Sequence, residues 1–287
     1  MIRIVADSTC DLSPELVERY NITILPLHVL LGDDEYRDGI DITIDEIYKW
    51  ADEHKTTPKT SAPSVDDAVN VFRKIIDEGD EVIAFSISSS MSASYEYMQM
   101  AAGILKAADK ISVIDSANLS TGIGLLVVEA AVMAAEGRRS RDEIVARIEE
   151  LKPLVRASFV VDTLVYLHRG GRCSGVAAIA GTALKLHPKI MVEDGAMRPD
   201  KKYRGKYSNI VLDYVKDMEE QLKTAKKDRV FITHSPIDPA VTQAVRDYLL
   251  SLGRFDEVLE TNAGGVVSSH CGPGTLGVLF IAEDRDR

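Results

Sequence analysis

Apolar positions along the chain fall into two alternating patterns. "IRIVADS", "EVIAFSIS" and "ISVIDS" are short, nearly continuous apolar runs of strand length. Between them, "SVDDAVNVFRKIIDEG" puts Val65, Ala68, Val69, Phe72, Ile75 and Ile76 on one helical face and ends on Gly79. "SPELVERYN" begins a short helix with Ser13 as its cap and Pro14 at its first position. "TIDEIYKWADEH", "MSASYEYMQMAAGILK" and "LSTGIGLLVVEAAVMAAEG" read as further helices, and "ITILPLHVLLGDDEYRDG" as two extended segments around a turn at "GDD". Strands that alternate with helices predict a parallel sheet covered on both faces.

The second half has another rhythm. "SRDEIVARIEELKPLV" is a helix linking the halves, "ASFVVDT" a strand and "SGVAAIAGTALKL" a helix of small residues. "KIMVEDGAMRPDKKYR" is a hairpin with an Asp-Gly turn. Two further helices follow, with strands "RVFITHS", "DEVLETNA" and "TLGVLFIAED". The expected class is α/β with two domains: a three-layer parallel-sheet domain over residues 1–152 and a mixed-sheet domain over 153–287.

Composition narrows the function. Lysine and arginine number 34 against 45 acidic residues, a formal charge of −11. Without a basic field, nucleic-acid binding and adhesion to anionic membranes are not expected. Cys10, Cys173 and Cys271 lie far apart, without a CxxC pair, so neither a disulfide framework nor a zinc site is expected. "GIGLLVVEAAVMAA" is interrupted by Glu129 and is too short for a membrane span, and "MIRIVADST" carries no signal core. A cytoplasmic protein is the simplest expectation.

Ligands of parallel sheets bind where loops gather beyond the strand ends. "ADSTCD", "SISSSMSAS" and "IDSANLSTG" are hydroxyl-rich loops at such ends, and "KTSAPS" precedes a helix. Ser13 and Ser64 are read as helix caps, but five serines between Ser88 and Ser94 exceed what one cap needs, and surplus donors beside a helix start suit an anion. Phosphate-loop, GxGxxG, GxSxG and HExxH motifs are absent. Asp7, Asp11 and Asp115 would be metal ligands if they met, though aspartates after strands are more often caps. His234 is read as a packed histidine. "SSHCGPG" allows two readings: Cys271 as a nucleophile served by His270, or His270 as a group that holds a ligand.

Seven motifs in order, "ADSTCDL", "TSAPS", "SISSSMSASYEYMQMAA", "IDSANLSTGIG", "YLHRGGRCSG", "HPKIMVEDGAMRP" and "SSHCGPGTLGVLF", make the chain resemble the DegV family of fatty-acid-binding proteins nearly end to end. The resemblance implies two α/β domains with a long-chain fatty acid between them, no cofactor and no enzymatic activity of its own. It implies a separate partner, a dihydroxyacetone-kinase-like fatty acid kinase that converts the presented carboxylate to an acyl phosphate. The family's carboxylate-holding positions fall on Ser61, Ser92, the amide of Ala93 and His270. Arg172 and Arg204 match its basic head-group or docking positions. Ala93 replaces the family's usual glycine, and cysteines stand at 173 and 271 where aliphatic or hydroxyl residues are usual, so sulfur is not needed and His270 is the working member of the pair. The alternative is a hydrolase or phosphotransferase using the serine loops with His270; neither "SMSAS" nor "SSHCG" has the elbow such a nucleophile needs. A kinase domain of related fold would need a nucleotide loop.

Overall fold

The computed structural model describes residues 1–173 and 186–283. The predicted helix "SGVAAIAGTALKL" lies outside the described residues except for Leu186. Strands of the first half are β1 (Ile2–Asp7), β2 (Ile22–Leu25), β3 (His28–Leu31), β4 (Asp34–Arg37), β5 (Lys59–Ser61), β6 (Glu81–Ser86) and β7 (Ile111–Asp115). The second half adds β8 (Val155–Val160), β9 (Leu186–Glu193), β10 (Ala196–Arg204), β11 (Ala225–His234), β12 (Glu257–Asn262) and β13 (Leu276–Ala282). Among the described residues they form a parallel sheet, β2-β1-β6-β7, a mixed sheet, β10-β9-β8-β13-β11-β12, and a small antiparallel sheet, β4-β3-β5. The small sheet is a departure from expectation. "ITILPLHVLL" breaks at Pro26, so β2 stays in the parallel sheet while β3 turns away to pair with β4 and β5.

Local signals set the helix starts. α1 (Pro14–Arg19) is capped by Ser13, whose Oγ accepts from the Leu16 N–H. α2 (Ile44–His54), α3 (Val65–Asp77) and, further on, the helix Arg141–Leu151 begin with reciprocal caps from Thr43, Ser64 and Ser140. Each such cap contributes about 1 kcal/mol. α4 (Ser94–Ile104) and α5 (Thr121–Glu136) have no side-chain cap of this kind, and α6 is the helix Arg141–Leu151. α7 (Val165–Gly170) ends on Gly171 in the left-handed region, at φ 67°. α8 (Tyr207–Lys216), α9 (Glu219–Lys223), α10 (Pro239–Ser251) and α11 (Gly265–Cys271) complete the described set. The sequence pattern predicted two helices where these four stand.

Alternate side chains of the parallel strands serve two cores. Val5, Val82 and Ala84 pack with α3 and α4, while Ile4, Ala6, Ile83 and Phe85 pack with α5 and α6. The second core continues across α5 to Ala157, Phe159, Phe231, Leu279 and Ile281 of the mixed sheet. α5 therefore lies between two sheets, which is why its sequence is apolar on all sides. Its mid-helix acid, Glu129, is matched by Lys226 and Arg229 of β11 at 2.6 and 2.5 Å. Among the described residues no helix is long and apolar enough to cross a membrane. The far face of the mixed sheet is covered by Val211, Tyr214, Val215, Val245 and Leu249 of α8 and α10.

Candidate functional site

A cavity of about 270 Å³ opens where the three sheets and α11 converge. Its body is apolar, with Leu27, Ile87, Met91, Leu119, Met197, Val266 and Val267 in the wall. Its polar residues are Thr60, Ser61, Ser92, Arg172 and His270, with Ala93 and Cys271 beside them. Of the residues singled out from the sequence, Ser61, Ser92, Ala93, Arg172 and His270 thus share one cavity. Arg204 does not line it; it stands exposed at the end of β10, opposite Leu186.

Each polar group arrives by a different route. Ser61 ends β5, the edge strand of the small sheet, which the sequence pattern did not reveal. Ser92 precedes α4 and shares a 2.9 Å hydrogen bond with Ser94, whose N–H also donates to Ser92 Oγ at 3.3 Å. Ala93 occupies the cap position at φ −80°, a conformation alanine adopts without strain, so the absent glycine does not distort the backbone here. The other serines of this loop have separate work. Ser88 and Ser90 both donate to the Gly195 carbonyl at the tip of the β9–β10 hairpin, and Ser89 donates to Asp115 at 2.5 Å. Ser88 and Ser90 thus fasten the β9–β10 hairpin of the second half to the loop that carries Ser92.

His270 is placed from the opposite end of its own helix. α11 is a seven-residue helix that starts on two glycines and lacks a local cap, which is why periodicity did not find it. Buried carboxylates from far along the chain replace the cap. Asp11 accepts from the Gly264 N–H at 2.8 Å, and Asp38 from the Gly265 N–H at 2.7 Å. A side chain at 265 would not fit, because its Cβ would lie 2.8 Å from Asp38 Oδ1. Asp11 also accepts from Ser120 at 2.6 Å, and Asp38 from Ser8 at 2.8 Å. Burial raises the proton affinity of both acids.

The His270 ring lies 2.8 Å, Nε2 to Oγ1, from Thr60, a residue the motif reading passed over. Its Nδ1 is buried and has no hydrogen-bond partner among the described residues, close enough to Gly170 that a Cβ there would stand 2.5 Å away. Burial, and then the neighbouring Arg172 charge, push the imidazole down to about 4. The ring is therefore neutral at pH 7 and can donate one hydrogen bond. Cys271 is buried, and burial drives its thiol far above the ordinary range, the reverse of what a thiolate nucleophile requires.

Asp7 and Asp115 are each held by local hydrogen bonds. Asp7 accepts from Thr9 and from the Ile87 N–H at 2.8 Å, and Asp115 from Ser89 and the Ala117 N–H at 2.8 Å. Among the described residues no group of three or more His, Cys, Asp or Glu could hold a metal ion. His234 bridges the Ser235 carbonyl and Glu260, at 2.9 and 3.2 Å, away from the cavity lining.

Two α/β layers around a mostly apolar cavity with a few polar side chains in its wall have the form of a small-molecule binding protein. A family model described as "Uncharacterised protein, DegV family" matches residues 1–283, and the chain belongs to that family. It is 33% identical over 281 residues to a DegV domain-containing protein of Caldanaerobacter subterraneus subsp. tengcongensis, covering 97% of this chain and 98% of that one. A DegV family protein from Thermus thermophilus, described for its fatty acid binding, superimposes with a TM-score of 0.90 at 31% identity, covering 98% and 99% of the two chains. A stearic acid-binding protein from Eubacterium ventriosum gives a TM-score of 0.85 at 31% identity, covering 98% of each.

Proposed function

We propose that this protein carries a long-chain fatty acid in the cavity and presents its carboxylate to a separate fatty acid kinase for conversion to an acyl phosphate. The carrying observation is an apolar cavity of about 270 Å³ whose lining includes Ser61, Ser92, Ala93 and His270, with Thr60 and Arg172. In this reading the chain divides at residues 1–152 and 153–287, with the acyl chain between the two domains, and the protein works in the cytoplasm. Burial of a methylene is worth roughly 0.8 kcal/mol, so about fourteen give on the order of 11 kcal/mol before ordering costs. The head group then needs mainly neutral partners: two hydroxyls, the Ala93 amide and the uncharged His270 ring, while Arg172 of the same lining donates to the Gly170 carbonyl. A carboxylate held this way keeps its nucleophilicity, whereas a bidentate arginine clamp would reduce it.

The deciding experiment is mass analysis of lipid extracted from purified protein, followed by titration of the delipidated protein with palmitate and oleate. One fatty acid per chain is expected. A protein that emerges empty and binds neither acid would overturn the reading.

A further inference from the structure

We infer that the outer half of the β9–β10 hairpin is a hinged lid on the acyl cavity, latched by Ser88 and Ser90 on the Gly195 carbonyl and opening sideways to admit or release the chain. The inference rests on the fatty-acid reading of the cavity. It concerns the serines that neither the helix start nor the head group uses.

Attachment decides which part of the hairpin can move. β10 is an edge strand of the mixed sheet, and β9 pairs with β8 only through Lys189, Ile190 and Met191. Among the described residues, the strand pairing of Val192 to Met197 is with the hairpin itself, apart from an isolated bridge between Cys173 and Met197. The register of the hairpin breaks between Pro199 and Lys202, so the regular ladder stops at the base of this segment, beside a proline that has no N–H to give. The tip is held at one acceptor. Ser88 Oγ donates to the Gly195 oxygen at 2.7 Å, Ser90 Oγ donates to the same oxygen, and the two hydroxyls lie 3.1 Å apart. Gly195 has φ 76°, and a Cβ there would stand 2.7 Å from Ser88 Oγ, so this approach requires glycine. Neither bond involves a charge, and water can replace both, so the latch can part without stranding a buried ion.

What the lid covers gives its purpose. Met197 of the hairpin and Met91, next to Ser90, are both buried and both line the cavity. Parting them opens the apolar body from the side, and flexible thioethers on the two faces can repack as the lid shifts. A fatty acid entering end-on with its carboxylate leading would draw a charge through an apolar bore, and the loss of its water is costly. A side opening takes the tail in broadside while the carboxylate passes directly to Ser61, Ser92 and His270.

The test follows exchange of cis-parinarate, a fluorescent fatty acid, by stopped flow on delipidated protein, with excess oleate to displace it. Each hydroxyl–carbonyl bond is worth about two- to tenfold in an equilibrium, so Ser88→Ala/Ser90→Ala should release parinarate roughly tenfold faster. Entry should accelerate by a similar factor and affinity stay within about threefold, because a gate alters both rates alike. A second variant locks the lid. A Cβ at Gly195 would lie 3.7 Å from Ala117 Cβ, within the roughly 3.5–4.5 Å that a disulfide spans. Oxidised Ser88→Ala/Ala117→Cys/Gly195→Cys should exchange roughly tenfold or more slowly than the same protein reduced with dithiothreitol. Unchanged release in the double variant, or faster release with unaltered entry, would overturn the lid, and so would free exchange through cross-linked protein. If the cross-link does not form, the double variant decides alone. Wild-type protein that binds no parinarate removes the fatty-acid reading and the lid with it; binding with exchange indifferent to these changes removes the lid alone.

Discussion

Acidification of the empty protein tests how His270 is held. The ring's folded-state pKa, about 4, lies below its ordinary 6.5, so between those values the unfolded chain binds the proton that the folded chain refuses. Stability from this group is complete above pH 6.5 and is lost as the pH falls toward 4. The gap of 2.5 units, from 6.5 down to 4, corresponds to about 3 kcal/mol at 1.36 kcal/mol per unit. That is a large part of the 5–15 kcal/mol typical of a folded protein. Urea unfolding of wild type and His270→Asn, at half-unit steps from pH 7.5 to 4.5, measures it. Neighbouring carboxylates titrate in both proteins, so the difference between the two curves isolates the imidazole. The difference should change by one to a few kcal/mol in favour of the variant as the pH falls. Parallel curves would refute the argument. Loading then supplies a second check. A fatty carboxylate beside the ring should raise its pKa by roughly 1–3 units, read from the His270 Cε1 proton resonance. A resonance that titrates identically with and without lipid would place the carboxylate elsewhere.

Three further outcomes are expected. Cys271→Ser should keep fatty-acid affinity within about threefold, and wild-type Cys271 should resist thiol reagents while folded, because burial keeps the thiol protonated; rapid modification without unfolding would contradict this. Gly265→Ala should cost about 1–3 kcal/mol in urea unfolding and weaken lipid binding, since the added methyl meets Asp38 Oδ1 and Ile47 Cδ1, both at 2.8 Å; unchanged stability and affinity would remove the Asp38 latch from the account. Arg204→Ala, at an exposed position outside the cavity, should retain its fatty acid yet support slower acyl-phosphate formation with the cognate kinase, and loss of lipid would assign it to the pocket instead.

What could be read from the sequence was mostly what is settled within a few residues. Ser13 and Ser64 sit three residues before the amides they cap, and Asp194-Gly195 forms the predicted hairpin turn with φ at 50° and 76°. The apolar face of α3 follows from its own period, with Ala68, Val69, Phe72 and Ile75 buried. The motifs named five residues that line one cavity, but not Thr60, which has no signature beyond standing next to Ser61. α11 escaped for a physical reason. The partners of its first amides are 253 and 227 residues away, and two glycines at a helix start look locally like a break.

Those distant partners explain an otherwise unfavourable arrangement. Asp7, Asp11 and Asp38 are buried, Asp38 adds to the raised proton affinity of the other two, and among the described residues none has a cation partner. Three unpaired acids in one interior region cost stability unless hydrogen bonds offset the loss of water. Each has such bonds, and those of Asp11 and Asp38 end on the first turn of α11. The same short helix carries Val266 and Val267 in the apolar wall and His270 among the cavity's polar residues. Loops of the first half thereby fix a helix of the second half at its N-terminus, while Thr60 meets His270 near its C-terminus. A neutral imidazole needs this double anchorage, because it has no charge of its own with which to find a carboxylate.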